Sequence, residues 1–590
     1  MNLIPEPQEL TVQRDKHYTL PQEAALCMPG HDRRLVKGGA ALFAGLTSQP
    51  ASEGTYALFC GCGPFCRPES LSSDSFHEIP SGEQYDYYEI SVTEQYCLVH
   101  SPTAAGLFYG IQTMKQLLES YGREIPLLQI RDWAFTPLRI DHYDLRTIHP
   151  TCQHLIEYIR VMASFKINGL LIEYEDKLPF TDLKMLRHPH GLTGAELQEL
   201  LEAAHENFID VIPLQQTYGH LEYVLKHPEF IGLREQPNHV AELCPLKEQS
   251  LSLIHRLLKE ISDLHPHSRY LHLGGDEVRN IGTCARCRSS GKSGSALFIS
   301  FMNQVAAYAV ALGKQPIIWH DMLKEATEEE LALLDKRIIV AVWLYSGRNL
   351  KKRAVSFVEK FRRAGLAVLG APSVRCWDNS AAQNHPVAPR RLFNLANWKE
   401  VNKEYRLGGL IFTNWSASFA LGNPYGLLET TRYLSFYGCE QAWNPNAAQN
   451  SYPRRFFALY HGIGDADFLT EHFTLEDYYL IPHLYLPLCR KNDITARLLD
   501  IMQQYDEVLV TGLPVQDMLF RADMCPENEE IITFLKENYR QNYDALDRIK
   551  PAMEEILAEL LPPAFIPLYL HSRFYLPELY RREAGRLLGL

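Results

Sequence analysis

The chain has 590 residues, with 58 Lys and Arg against 71 Asp and Glu for a formal net charge of −13, and 46% apolar and 22% charged residues. That length at ordinary composition predicts roughly two to four packed domains and excludes collagen, coiled coil and a disordered chain. The acidic balance argues against nucleic acid or an anionic membrane as partner, since both need a basic face, and leaves sugars, other small molecules and proteins open.

The first residues, Met1–Lys16, lack a basic segment followed by an apolar run, so no secretory leader is expected. No window approaches 18 uninterrupted apolar residues, and no membrane span is expected. Thirteen cysteines then read as reduced thiols in a cytoplasmic protein. Residues 1–130 mix β-like runs, Tyr88–Val92 and Tyr96–His100, with a helix over Ala104–Leu117. Leu107, Ile111, Met114 and Leu118 recur there at steps of three and four. The stretch carrying Pro126, Asp132 and Pro137 reads as a linker.

From about residue 137 short apolar runs alternate with helical stretches. The runs are Leu138–Tyr143, Gly169–Tyr174, Asp210–Leu214, Tyr270–Leu273, Pro316–Trp319, Ile338–Trp343, Ala367–Ala371 and Gly409–Thr413. Eight βα units predict a closed (β/α)8 barrel over residues 131–445. The alternative, a doubly wound sheet, should open on a phosphate-binding GxGxxG or P-loop, and neither is present. Beyond residue 446, Leu475–Leu488, Ile494–Tyr505, Glu527–Leu561 and Leu568–Leu590 read as helical. Breaks or kinks are expected at Pro482, Pro514, Pro526 and Pro562/Pro563. The fold class is therefore α/β: a small N-terminal α+β domain, the barrel, and a C-terminal helical region packed on the barrel or on a second subunit, which leaves a homodimer open.

Two cysteine clusters stand out, Cys60/Cys62/Cys66 and the CxxC of Cys284 and Cys287. Zinc needs four convergent ligands, and no second CxxC or HxxxH stands at matching distance. A loop-closing or packing role is expected, with no metal and no cofactor. His-rich HPHGL (His188–Leu192) and HPHS (His265–Ser268) fit surface turns.

In such barrels the chemistry lies where strands end. The first run supplies Arg139, Asp141, His142, Asp144 and Arg146; the second Glu173, Glu175 and Asp176; the third Gln215, Gln216, Tyr218 and His220. The fourth supplies His272, Asp276 and Glu277, and the fifth Trp319, His320 and Asp321. The last three supply Trp343 and Tyr345, then Arg375, Trp377 and Asp378, then Asn414 and Trp415. Carboxylates with Trp and Arg, and no nucleotide loop, suggest glycoside hydrolysis, because indole faces hold the apolar faces of sugar rings. The sharpest feature is LHLGGDEV, Leu271–Val278, where Asp276 and Glu277 follow a Gly-Gly bend. Adjacent acids in an extended segment point to opposite sides, so one can protonate a leaving oxygen while the other orients a substrate group.

These residues resemble glycoside hydrolase family 20, whose fourth barrel strand carries H-x-G-G-D-E, matched by His272, Gly274, Gly275, Asp276 and Glu277. Gly106–Leu118 with the following IRDWAFTPLR resembles the junction between that family's small N-terminal domain and its barrel. Asn168–Phe180, Pro213–Phe230 and Trp319–Leu323 look closest to the hexosaminidase D branch. The resemblance implies substrate-assisted retaining hydrolysis of a terminal N-acetylhexosamine, an exception to the two-carboxylate rule. Glu277 then matches the general acid and base, and Asp276 the residue that orients the acetamido N–H. Asp176 and His220 match a supporting pair, and Arg139 the arginine that grips sugar hydroxyls. Trp319, Trp343 and Trp415 match the aromatic walls, and Glu429 an acid against the outer hydroxyls. Strand seven departs from the family pattern: PSVRCWDN, Pro372–Asn379, lacks the usual Tyr, and Tyr345 is expected to supply that hydroxyl. The competing reading is a catalytically silent carbohydrate-binding barrel, for which loss of Asp276 or Glu277 would be the mark.

Overall fold

The computed structural model describes residues 1–20, 25–27, 34–35, 56–62, 84–376, 384–417, 424, 426–464 and 473–589. The N-terminal sheet holds β1 (Glu9–Thr19), β2 (Ala25–Cys27), β3 (Tyr56–Cys62), β4 (Tyr85–Val92), β5 (Cys97–Ser101) and β6 (Glu124–Ala134), in the order β1-β6-β4-β5-β3-β2. Helix α1 (Ala104–Tyr121) begins where Thr103 accepts the Gly106 N–H and buries Leu107, Ile111 and Met114, the periodic positions.

The expected linker is instead β6, paired on both sides by β1 and β4. Proline signals a break only where its missing N–H is needed. Pro126 faces His17, where the β1–β6 register slips between Gln13 and His17. Asp132 is fully buried and ties the sheet to the barrel. It accepts from the Tyr88 hydroxyl at 2.5 Å, the Lys166 ammonium at 3.0 Å and the Trp443 indole at 2.8 Å. Burying a charge demands such partners.

The barrel strands are β7 (Leu138–Asp144), β8 (Gly169–Glu173), β9 (Asp210–Leu214), β10 (Tyr270–His272), β11 (Gln315–Trp319), β12 (Ile339–Trp343), β13 (Ala367–Ala371) and β15 (Gly409–Asn414). A short β14 (Ser373–Arg375) continues β13 along β15. All neighbours are parallel, and the pairs Gly370↔Leu410 and Gly409↔Leu138 close the cylinder. Each strand is followed by a helix: α2 (Cys152–Ser164), α3 (Gly194–Glu206), α4 (Glu248–Leu264), α5 (Gly294–Ala311), α6 (Glu328–Ala332), α7 (Leu350–Arg363), α8 (Ala388–Tyr405) and α9 (Arg432–Trp443). Alternate residues, among them Ile140, Leu171, Ile212, Ile317, Leu369 and Ile411, fill the interior, with Trp319, Trp343 and Trp415 in the same cluster. Their neighbours Leu170, Ile172, Val211, Ile318, Val340 and Phe412 pack outward. Burial on both faces explains why the runs are nearly all apolar. Helix α5 is long and apolar enough to cross a membrane, yet it buries Leu297, Phe298, Phe301, Met302 and Val305 within the protein.

The C-terminal region is helical, with two departures from expectation. Leu475–Leu488 forms short turns, Asp477–Tyr479, Pro482–Tyr485 and Leu486–Leu488, in place of one helix. The long helices are α10 (Asp493–Met524), α11 (Glu529–Leu560) and α12 (Ile566–Leu588). Pro526 and Pro562/Pro563 fall between helices, but α10 runs on through Pro514. One lost backbone bond is outweighed when a long helix packs on either side of it. The three helices share a core of Leu498, Met502, Leu535, Leu557 and Phe574 that takes in Ile148 and Leu427 from the loops after β7 and β15. Thr151 N–H donates to the Leu560 carbonyl at 2.9 Å, and Arg573 to Asn384 at 2.9 Å and the Pro424 carbonyl at 2.6 Å. The helical region thus braces loops at the barrel's C-terminal end.

Candidate active site

The Gly-Gly bend ends β10 by geometry that side chains resist. Gly274 and Gly275 take φ of 62° and 85°, and a Cβ at Gly274 would overlap the Gln216 amide. His272 is buried, its Nδ1 accepts the Gly274 N–H at 3.0 Å, and burial lowers its pKa to about 3. It is a neutral brace for the turn. Glu277 follows in the left-handed region, φ 50°, and its N–H is held by Asp321 Oδ2 at 2.9 Å. His220 and Glu175 also have positive φ, 52° and 48°. Non-glycine residues held there need surrounding structure to fix them, and such positions gather at functional sites.

His220 Nε2 stands 3.5 Å from Asp276 Oδ2 and 3.5 Å from Glu277 Oε2. Burial opposes its charge, but the Asp276 carboxylate and the bonds to both acids outweigh that and raise its pKa well above the ordinary value. Burial likewise works against ionised Asp276, and the His220 cation reverses the balance and lowers its pKa. Asp276 Oδ1 is buried and has no hydrogen-bond partner among the described residues. Glu277 keeps 37% of its side chain exposed, so one acid is fixed and the other is open. Asp321 also accepts the Trp343 indole at 3.2 Å; burial and the nearby Asp276 charge raise its pKa to about 7.

Three tryptophans and a tyrosine surround these acids. Trp319 is buried, 4.2 Å from the His272 ring and 6.2 Å from Trp415 between centroids. Trp343 stacks on Tyr345 at 5.2 Å, and the Trp415 indole donates to the Tyr345 hydroxyl at 2.9 Å. Tyr345 therefore reaches from the end of β12 to Trp415 at the end of β15. Trp377 and Asp378 lie outside the described residues.

Of these two arginines, Arg146 and not Arg139 stands at this mouth. Arg139 is the second residue of β7, at the other end of the barrel, and is fully buried. It donates to the Lys166, Thr136 and Pro137 carbonyls at 2.8, 2.9 and 3.1 Å and to Asp86 at 2.8 Å, leaving nothing for a sugar. Arg146, just past the strand's end, forks onto Asp144 at 2.8 and 2.9 Å, lies 3.7 Å from Glu173 and sits 5.2 Å from the Trp415 ring centroid. Asp144 is held at about 2: burial would raise it, and Arg146 outweighs burial. The signal was present, because strand direction alone puts Arg146 and not Arg139 at the C-terminal mouth. Asp144, Glu173 and Asp321 sit in the same strand-end inventory.

Two expected residues are engaged elsewhere. The Asp176 carboxylate holds the Lys177 ammonium at 2.5 Å, while His220 spans Asp276 and Glu277. Glu429, in the turn Leu428–Thr431, is buried against α2, 2.7 Å from His154 and 3.8 Å from Arg432. Burial is outweighed by those two partners, and its pKa falls to about 2.

A second cluster forms one loop away. Glu235, Cys244, Cys284 and Cys287 bring their ligand atoms within 4.8 Å of one another. The two residues that join the CxxC come from the loop after β9, about forty to fifty residues upstream, beyond any local spacing rule.

A closed (β/α)8 barrel whose C-terminal mouth gathers adjacent carboxylates, a charged histidine, a clamped arginine and indole walls has the build of a glycoside hydrolase. The models "Glycosyl hydrolase family 20, catalytic domain" and "Glycosyl hydrolase family 20, domain 2" match residues 149–403 and 1–133. Hexosaminidase D of Bos taurus is 33% identical over 293 residues, covering 47% of this chain and 84% of that protein. Hexosaminidase D of Homo sapiens is 32% identical over 290 residues, covering 47% of this chain and 60% of the human protein. The chain belongs to glycoside hydrolase family 20. Among solved structures, a Flavobacterium johnsoniae chitobiase aligns over 99% of this chain and 95% of its own at 15% identity, TM-score 0.61. A Bacteroides fragilis beta-N-acetylhexosaminidase aligns over 80% and 95% at 18% identity, TM-score 0.60.

Proposed function

We propose that this chain is an exo-acting, retaining β-N-acetylhexosaminidase that removes terminal non-reducing β-linked GlcNAc or GalNAc. The observation that carries the reading is the Asp276 carboxylate: one oxygen is committed to His220, and the other is buried and unpartnered among the described residues. A buried acceptor of that kind asks for a donor, and the acetamido N–H of the substrate supplies one. The acetamido carbonyl oxygen attacks C1 while the C1–O bond to the leaving group breaks, and Glu277 gives its proton to that oxygen. Asp276 and its N–H partner stabilise the resulting oxazolinium. Water then attacks C1, Glu277 takes its proton, and the acetamido group is restored with configuration retained. The Tyr345 oxygen accepts from Trp415, which leaves its own proton for the acetamido carbonyl. Arg146, fixed by Asp144, faces the sugar hydroxyls. Among the described residues nine cysteines are free of disulfides, as a reducing compartment would keep them, and a cytoplasmic location goes with this proposal.

The test compares aryl β-GlcNAc, β-GalNAc and β-glucoside with the unmodified chain, Glu277→Gln and Asp276→Asn. Turnover should require the acetamido group. Glu277→Gln should lose roughly two to four orders of magnitude on poor leaving groups, and Asp276→Asn should lose rate even on activated ones. Equal turnover of the glucoside would sink the substrate-assisted reading, and silence on all three would favour a carbohydrate-binding barrel.

A further inference from the structure

We propose that Glu235, Cys244, Cys284 and Cys287 form a four-ligand zinc site that clips the loop after β9 to the loop after β10. The distances have the size a tetrahedral zinc requires. Zinc–sulfur bonds of about 2.3 Å at tetrahedral angles place sulfurs about 3.8 Å apart, and a zinc–oxygen bond of about 2.0 Å places oxygen about 3.5 Å from sulfur. Cys244 Sγ lies 3.6 Å from Cys287 Sγ and 3.5 Å from Cys284 Sγ, and Cys287 Sγ lies 3.5 Å from Glu235 Oε2.

The surroundings orient the ligands. Cys287 N–H points at Cys284 Sγ at 3.4 Å, the backbone-to-thiolate bond expected of a CxxC turn around a metal. Cys284 N–H holds Glu235 Oε1 at 2.9 Å and so turns Oε2 toward the sulfurs. Glu235 and Cys244 flank the antiparallel bridge Arg234↔Leu243, which sets them side by side. The Glu235 carboxylate is buried, and no lysine or arginine forms an ion pair with it among the described residues. A dication between the carboxylate and three thiolates answers that burial; a neutral thiol cluster does not. A disulfide would use two sulfurs after drawing them about 1.5 Å closer, and would strand the third thiol and the carboxylate. Four protein ligands with sulfur dominant suit a closed, structural zinc rather than a catalytic one.

The clip bears on the candidate active site. Cys284 lies seven residues after Glu277, and Glu242, two before Cys244, accepts the Arg279 and Asn280 N–H groups at 2.6 and 2.9 Å. The metal would hold the segment that leaves Glu277 against the segment that follows His220.

The full chain, purified without chelator, should contain about one zinc per molecule by mass spectrometric metal analysis. Cobalt exchanged for that metal should show the visible bands of tetrahedral cobalt and a thiolate charge-transfer band. Both signals should vanish in Cys244→Ser, and in Glu235→Gln the zinc should bind more weakly, by a factor of roughly 10–100. Less than about a tenth of an equivalent of zinc, before and after reconstitution, would overturn the proposal. So would zinc retained at full content in Cys244→Ser, or a Cys244–Cys284 disulfide in the intact mass. Should Cys244→Ser fail to fold, the cobalt spectrum of the unmodified chain decides alone, and absence of the thiolate band overturns the site.

Discussion

Glu173→Gln tests the electrostatics of the mouth quantitatively. Glu173 is fully buried at the end of β8, with Oε1 taking the Gln216 amide at 2.9 Å and Oε2 without a hydrogen bond among the described residues but 3.7 Å from the Arg146 guanidinium. Burial raises its pKa from 4.5 to about 7, Arg146 pulling the other way and Asp144 adding to the rise. A carboxyl that binds its proton more tightly when folded adds most to stability below its unfolded pKa. That contribution shrinks as pH rises toward the folded pKa and stays lost above it. Between pH 5 and pH 8 the ionisation of Glu173 should therefore withdraw roughly 2–3 kcal/mol from the native state, at 1.36 kcal/mol per pKa unit. Glutamine keeps the shape and the acceptor for Gln216 and does not titrate. Relative to the unmodified chain, Glu173→Gln should gain roughly 2–3 kcal/mol on going from pH 5 to pH 8, read as roughly 2 °C in Tm if the whole chain melts together and more if the barrel melts alone. The measurement is thermal unfolding of both proteins at both pH values, which cancels every other titrating group. An equal Tm difference at the two pH values would refute the reasoning, because Glu173 would then carry its charge in the folded protein as easily as in the unfolded one.

Two further substitutions separate placement from role. Arg139→Lys cannot reproduce the fork onto three carbonyls and Asp86, so stability should fall by about 1–3 kcal/mol while KM for aryl N-acetylglucosaminide stays level; a raised KM at unchanged Tm would return Arg139 to the substrate. Tyr345→Phe removes both the acceptor of the Trp415 indole and the proposed donor to the acetamido oxygen, and kcat should fall roughly 10–100-fold on N-acetylated substrates; an unchanged rate would remove Tyr345 from the site.

Much of this architecture is local and therefore legible along the chain. The eight apolar runs match the observed strands within a residue or so, as Leu138–Tyr143 against Leu138–Asp144 and Ile338–Trp343 against Ile339–Trp343 show. A strand covered on both faces must be apolar throughout, and that requirement is written residue by residue. The helix over Ala104–Leu117 and the Gly-Gly turn before Asp276 are legible for the same reason: period and positive φ are properties of short segments. Proline misled where context overrode it, at Pro126 in β6 and Pro514 in α10.

What the sequence by itself determined, then, is the set of elements and the chemical inventory at their ends: eight βα units, adjacent acids after a glycine bend, and indoles to face a sugar. Only the tertiary structure decided which members of that inventory meet. Closing the barrel brought Arg146 within 3.7 Å of Glu173, set His220 between Asp276 and Glu277, and gave Glu429 to His154. It also carried Glu235 and Cys244 across about forty to fifty residues to the CxxC. Backbone preference acts over a few neighbouring residues, whereas charge, hydrogen bonding and metal coordination act through space, and the distances they need exist only once the strands have closed.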